Sequence, residues 1–125
     1  MKKAVLFLSL VTSLIMSTSA VWAHEPVKLS GYAVDVLCAA EHLKENPVDA
    51  MKFAAEHTKE CGLMDECIKS GYGLFSDGVW YPFNEKGTAL AKMIFDNTQK
   101  IDQIKVTVIG KKHGGTILVD KITEE

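Results

Sequence analysis

The first 23 residues limit what this chain can fold into, because they have the pattern of a bacterial secretory signal. A short basic segment comes first, an apolar run follows from Ala4 to Met16, and small residues precede a cleavage site after Ala23. The run is shorter than the roughly 20 residues that a membrane-spanning helix needs. We therefore expect cleavage of residues 1–23, with a cut after Ala20 as the minor alternative. The mature part, residues 24–125, is expected to be a single periplasmic or secreted domain without a membrane span.

The charge of the mature part argues against a nucleic-acid partner. All 16 acidic residues lie in it, whereas two of the 14 lysines belong to the signal, so it is more acidic than the whole chain with its net charge of −2. The chain contains no arginine. Nucleic-acid affinity depends on clustered Lys and Arg that neutralise phosphates, and Arg is the commonest reader of bases. We therefore expect no binding of nucleic acid.

Hydrophobic periodicity predicts five strands and three helical segments. The predicted strands are Val27–Val36, Cys67–Phe75, Val79–Phe83, Ile104–Ile109 and Thr116–Ile122, and the predicted helices are Leu37–Glu45, Pro47–Glu60 and Ala89–Asn97. Two turns join neighbouring strands, Ser76-Asp77-Gly78 and Gly110–Gly115, and Gly31 is expected at a bulge or a close approach within the first strand. In the last hairpin, the period of two predicts that Val106, Val108, Ile117 and Val119 face the core.

The order of these elements predicts a mostly β fold with helices. We expect an OB-like five-stranded barrel with a helical insertion after strand 1 and a helix between strands 3 and 4. A barrel would also remove most of the exposed strand edges, which a small β domain otherwise has to protect. A two-layer α+β sandwich built from the same elements is the alternative.

Several motifs resemble those of small secreted bacterial OB-fold-like proteins of unknown function. The motifs are Gly31-Tyr32…Asp35…Cys38, His57-Thr58-Lys59-Glu60-Cys61, Cys67, Ser70-Gly71-Tyr72-Gly73, and Val106-Thr107-Val108-Ile109-Gly110…Ile117-Leu118-Val119…Ile122. They extend over nearly the whole mature part. The resemblance implies the fold and the exported location, but no activity.

Cysteine and histidine residues form a candidate metal site. Cys38 and His42 are four residues apart, as are His57 and Cys61 in the opposite order, and on a helix each pair would lie on one face. Cys67 follows as a third thiol. Thiolates and imidazoles are ligands for Zn²⁺ and for Cu(I), so these five residues are the predicted metal ligands, with the nearby methionine of the Cys61–Cys67 segment a weaker extra for Cu(I).

A disulfide is the main alternative use of the cysteines, because exported proteins oxidise their thiols. A bond from Cys38 to Cys61 or Cys67 would join the insertion to the first strand, and a short Cys61–Cys67 loop is a further alternative. Three is an odd number, so one thiol would remain unpaired. A thiol-redox centre at Cys61 or Cys67 is the third hypothesis.

The expected mature N-terminus has a separate chelating property. If cleavage follows Ala23, the α-amino group and the imidazole of His24 form a bidentate copper chelate, but a copper brace also needs a second histidine, which the sequence does not place. The alternative is an ordinary mobile terminus. Aromatic residues on the first three predicted strands suggest either stacking with a ligand or core packing, and the absence of arginine favours packing.

These observations predict a non-enzymatic periplasmic binding module with a Cys/His site for Zn or copper. Its expected partners are a metal ion or a small ligand, and a protein partner is a further expectation. The rival interpretation is a disulfide-stapled structural or interaction domain whose sheet binds a protein or a small molecule.

Overall fold

A computed structural model describes residues 24–125, and the predicted secretory signal at residues 1–23 lies outside this range. The strands are β1 Glu25–Asp35, β2 Tyr72–Ser76, β3 Val79–Pro82, β4 Lys105–His113 and β5 Thr116–Glu124. The α-helices are α1 Val36–Glu45, α2 Ala50–Glu56, α3 Lys59–Gly62, α4 Asp65–Ser70 and α5 Glu85–Asn97, and a 3-10 turn covers Pro47–Asp49. None of the helices in the described range has the length and apolar character that crossing a membrane requires.

The five strands form one antiparallel sheet in the order β3-β2-β1-β4-β5. The helical insertion after β1 and the helix between β3 and β4 lie where the sequence predicts them. Helix takes about 42% and strand about 38% of the described residues, so the expectation of a mostly β chain is only partly confirmed. The sheet is open in this range, with one isolated bridge from Phe83 to Ile117, and closure into a barrel is not confirmed.

Two segments of the insertion differ from the sequence prediction. The predicted strand Cys67–Phe75 is half helix, because α4 covers its first part and β2 begins only at Tyr72. Asp65 and Glu66 occupy the first turn of α4, where acidic side chains interact favourably with the helix dipole. Gly71 then ends the helix with φ 90°, a conformation that only glycine adopts at low cost.

The predicted helix Pro47–Glu60 is also interrupted. It divides into the 3-10 turn, α2 and α3, because His57 has an extended backbone conformation. The Thr58 hydroxyl then caps α3 by accepting a hydrogen bond from the Cys61 backbone N–H at 3.1 Å. Because of this break, His57 and Cys61 do not lie on one face of a single helix, as their spacing predicted.

Both faces of the central strands are buried, and this places the end of β1 between two hydrophobic clusters. Ala33 and Leu74 belong to the cluster under α5, whereas Val34 and Phe75, one residue further along each strand, pack against α1 and α2. The predicted inward positions of the closing hairpin are confirmed, since all four are at most 2% exposed: Val106, Val108, Ile117 and Val119.

Gly31 lies at a close approach of β1 and β2, as the sequence predicts. A Cβ atom at this position would lie 2.0 Å from the backbone oxygen of Phe75, so the paired strands would have to shift. We expect Gly31→Ala to destabilise the fold by about 1–3 kcal/mol, which lowers the melting temperature by roughly 4–8 °C per kcal/mol in a domain of this size. Gly115→Ala is the matched control, because nothing lies within 4 Å of its added Cβ. Equal melting temperatures for the two variants would contradict the close approach.

Candidate metal centre

Asp35 is the residue around which the candidate site is built. It ends β1 and serves as the N-cap of α1, and its Oδ1 accepts a hydrogen bond from the backbone N–H of Cys38 at 2.9 Å. Its Oδ2 lies 2.7 Å from Nε2 of His57. Asp35 is fully buried, so the carboxylate has exchanged water for these two donors.

Helices α1 and α4 bring two of the three cysteines to this carboxylate. Cys38 lies in the first turn of α1 and is partly buried, and Cys67 lies in α4 and is 4% exposed. The Ser70 hydroxyl joins the two helices, because it accepts from the backbone N–H of Leu37 at 3.1 Å and donates to the backbone oxygen of Cys67 at 2.7 Å. A carboxylate oxygen of Asp35 and the sulfurs of Cys38 and Cys67 all lie within 4.8 Å of one another.

Burial and hydrogen bonding together determine which of these three groups is charged. Burial raises the pKa of the Cys38 thiol, and the nearby Asp35 carboxylate raises it further. Burial, then Asp35, likewise raises the pKa of Cys67. Burial by itself would raise the pKa of Asp35, but the hydrogen bonds from His57 and from the Cys38 backbone outweigh it and hold this pKa below its usual value. Near neutral pH the group therefore contains one carboxylate and two protonated thiols, whose protons a bound metal would have to displace.

His57 contacts the carboxylate rather than the thiols. Its side chain is 3% exposed, and because a carboxylate can only accept, Nε2 carries the proton that is donated to Asp35. Phe53 and Phe95 both meet the ring edge-on, with centroids 6.1 and 6.2 Å away. Within residues 24–125 the other ring nitrogen, Nδ1, is buried and has no hydrogen-bond partner. His57 is thus positioned to orient the carboxylate, as an outer partner of a metal ligand does.

The other two predicted ligands lie outside this group. The ring of His42 stacks on Phe53 with centroids 4.1 Å apart, and Cys61 lies in α3, partly buried. The structure therefore unites Cys38 and Cys67 of the five predicted ligands, places His57 next to Asp35, and leaves His42 and Cys61 outside the group of atoms that lie within 4.8 Å of one another. Asp35 was not among the predicted ligands.

The cysteines are all free thiols in the described range, and none is at disulfide-bonding distance from another. The predicted disulfide is therefore not seen. The aromatic residues support core packing, since three of those on the first strands are at most 8% exposed: Tyr72, Phe75 and Phe83.

Comparisons of the chain with protein-family models, with curated proteins and with solved structures found no match.

Proposed function

We propose that this protein is an exported, non-enzymatic binding module that holds a Zn²⁺ or Cu(I) ion at Asp35, Cys38 and Cys67. The observation that carries the proposal is the convergence of one carboxylate oxygen and two sulfurs within 4.8 Å at the junction of three elements. Thiolates and carboxylates both occur as ligands of Zn²⁺, while two thiolates alone also suit Cu(I). The carboxylate favours Zn²⁺ of the two, because soft Cu(I) gains little from an oxygen ligand.

The protonation of the site supports binding over thiol catalysis. A reactive cysteine needs a lowered pKa, because the thiolate is the nucleophile. Burial and the Asp35 charge raise the pKa of both Cys38 and Cys67 instead. A bound divalent cation would lower the pKa of both thiols, because it attracts their thiolate forms and neutralises the negative charge of the nearby Asp35.

An OB-like arrangement of the sheet belongs to the same proposal. Its two edge strands are β3 and β5, and the parallel bridge between Phe83 and Ile117 joins the end of one to the start of the other. The helix α5 lies between β3 and β4 in the chain, as in an OB-fold. This arrangement supports a binding module, although the proposed site lies at the helical insertion and not on the sheet surface.

The site is tested by serine substitutions at the three cysteines. We expect Zn²⁺ to raise the melting temperature of the parent protein, because an ion that binds only the folded state stabilises it by about 2.7 kcal/mol at 100 times its Kd. Cys38→Ser and Cys67→Ser should each remove this metal-dependent increase. Cys61→Ser is the matched control and should retain it, because Cys61 lies outside the group. Melting curves with and without Zn²⁺, together with the bound metal per chain from native mass spectrometry, provide the measurement.

Two results would contradict the proposal. If the parent protein neither binds Zn²⁺ or Cu(I) nor gains stability from them, no metal site exists there. If Cys61→Ser removes the metal effect as fully as Cys38→Ser does, the ligands are the originally predicted Cys/His pairs and not the Asp35 group.

A further inference from the structure

Two exposed histidines meet at the opposite end of β1 from the Asp35 group. Nδ1 of His24 lies 3.1 Å from Nδ1 of His113, and the ring centroids are 4.7 Å apart with a 55° tilt. These residues are 89 positions apart in the chain, so only the fold can bring them together. His113 is therefore the second histidine that a copper brace at His24 requires.

Sheet pairing accounts for this contact. Glu25 pairs with Lys112 in the register of β1 and β4, so the residue before Glu25 comes next to the residue after Lys112. His113 is also held from its other side, because it pairs with Thr116 across the turn that joins β4 to β5. Gly114, with φ 60°, allows that turn. The backbone register, and not a chance rotamer, therefore brings His24 and His113 together.

The geometry suits two ligands on one metal ion. Two nitrogens that each bind an ion at about 2.0 Å lie roughly 2.8 Å apart when they meet at a right angle and about 4 Å apart when they are in line. The observed 3.1 Å falls within this interval. Cleavage after Ala23 would add a third nitrogen, because the new α-amino group and the imidazole of His24 belong to the same residue and can chelate one ion.

We propose that the mature N-terminus is a Cu²⁺ site formed by the α-amino group and Nδ1 of His24 and by Nδ1 of His113. Three nitrogen donors without sulfur favour Cu²⁺, which binds nitrogen sites more tightly than the other divalent first-row metals and accepts a tetragonal arrangement. The site rests on the proposed export and on cleavage after Ala23, and it is independent of the thiols at the other end of β1. Removal of the secretory signal therefore creates the copper site, so the chain acquires it only on export.

The experiment separates the α-amino group from the imidazoles. The full chain is expressed with its own secretory signal, and the exported protein is purified and its first residue established from the intact mass. One variant carries Gly-Ser-Gly-Ser inserted before His24, which moves the α-amino group away but keeps every residue of the fold. A second variant is His113→Gln, and His42→Gln is the matched control because His42 lies in the insertion. Cu²⁺ affinity is measured by competition with a chromophoric chelator, and the ligands are identified by electron paramagnetic resonance.

We expect the parent to begin at His24 and to bind one Cu²⁺ with nitrogen hyperfine coupling. The insertion and His113→Gln should each weaken binding by about 100-fold or more, since the loss of an outer partner alone typically costs 10- to 100-fold. His42→Gln should bind as the parent does. A chain that begins at another residue, or an unchanged affinity in either variant, would overturn the proposal. Cys38→Ser should leave this affinity unchanged, so a failure of the thiol site remains distinguishable from a failure here.

Discussion

Replacing His57 with alanine should lower the free energy of unfolding by about 3 kcal/mol, because leaving a buried polar group without its hydrogen-bond partner costs about 1–3 kcal/mol and more when that group is charged. The reason is that Asp35, which is fully buried, would lose the donor that lies 2.7 Å from its Oδ2. The carboxylate would then have to remain charged with the Cys38 backbone N–H and the neighbouring thiols as its donors, or take up a proton. Urea denaturation of the metal-free protein at neutral pH measures the loss.

His42→Ala is the matched control for this prediction. His42 is also an insertion histidine in contact with Phe53, but it has no carboxylate partner in the described range. Its replacement should therefore cost clearly less than that of His57. The double variant Asp35→Ala/His57→Ala should be less destabilised than the sum of the two single variants, because removing both partners leaves no unpaired charge. Additive losses would contradict a stabilising interaction between Asp35 and His57.

Deletion of the closing hairpin, from Ile104 to the end of the chain, should abolish cooperative unfolding altogether. Strand β4 pairs with β1 from Glu25 to Tyr32, so its removal exposes the whole first part of β1 as an unpaired edge. The deletion also removes the buried valine and isoleucine side chains that pack against α5. A domain of this size is only marginally stable, so the loss of these contacts should unfold it. A thermal scan followed by circular dichroism tests the prediction. A cooperative transition in the truncated chain would contradict the placement of the hairpin.

Two point substitutions in β4, one at a buried position and one at an exposed position, test which side chains of the strand face the core. Val108 is fully buried, whereas its neighbour Ile109 points outward and is 42% exposed. Val108→Ser should therefore lower the melting temperature strongly, and Ile109→Ser should change it little. Comparable losses at both positions would indicate that the alternation inferred from the sequence does not describe the folded strand.

The sequence predicted β4 and β5 well because their residues alternate between one buried and one exposed face. The sequence prediction was wrong for the first part of Cys67–Phe75, because the periodicity of a short apolar run does not distinguish a strand from a helix. The helix boundary there depends on Gly71, whose positive φ is a property of the folded backbone. The length of the strands could be predicted only approximately for a similar reason, since pairing with a neighbour extends β4 to His113.

The site was harder to predict than the fold. Cys38 and Cys67 stand out in a sequence, but an aspartate three residues before a cysteine is indistinguishable from an ordinary helix N-cap, which Asp35 also is. The spacing of His57 and Cys61 suggested a shared helical face, and the extended backbone of His57 separates them. The contact between His24 and His113 depends on the register of β1 and β4, which no local pattern contains.

X-ray absorption spectroscopy at the zinc edge of the Zn²⁺-loaded protein tests the central claim most directly, because it counts the sulfur atoms around the ion. The Asp35 group predicts two sulfurs at about 2.3 Å and oxygen or nitrogen atoms at about 2.0–2.2 Å. Cys61→Ser should leave this spectrum unchanged, and Cys38→Ser should remove one sulfur or the bound ion. A first shell with three sulfurs, or with none, would contradict the account.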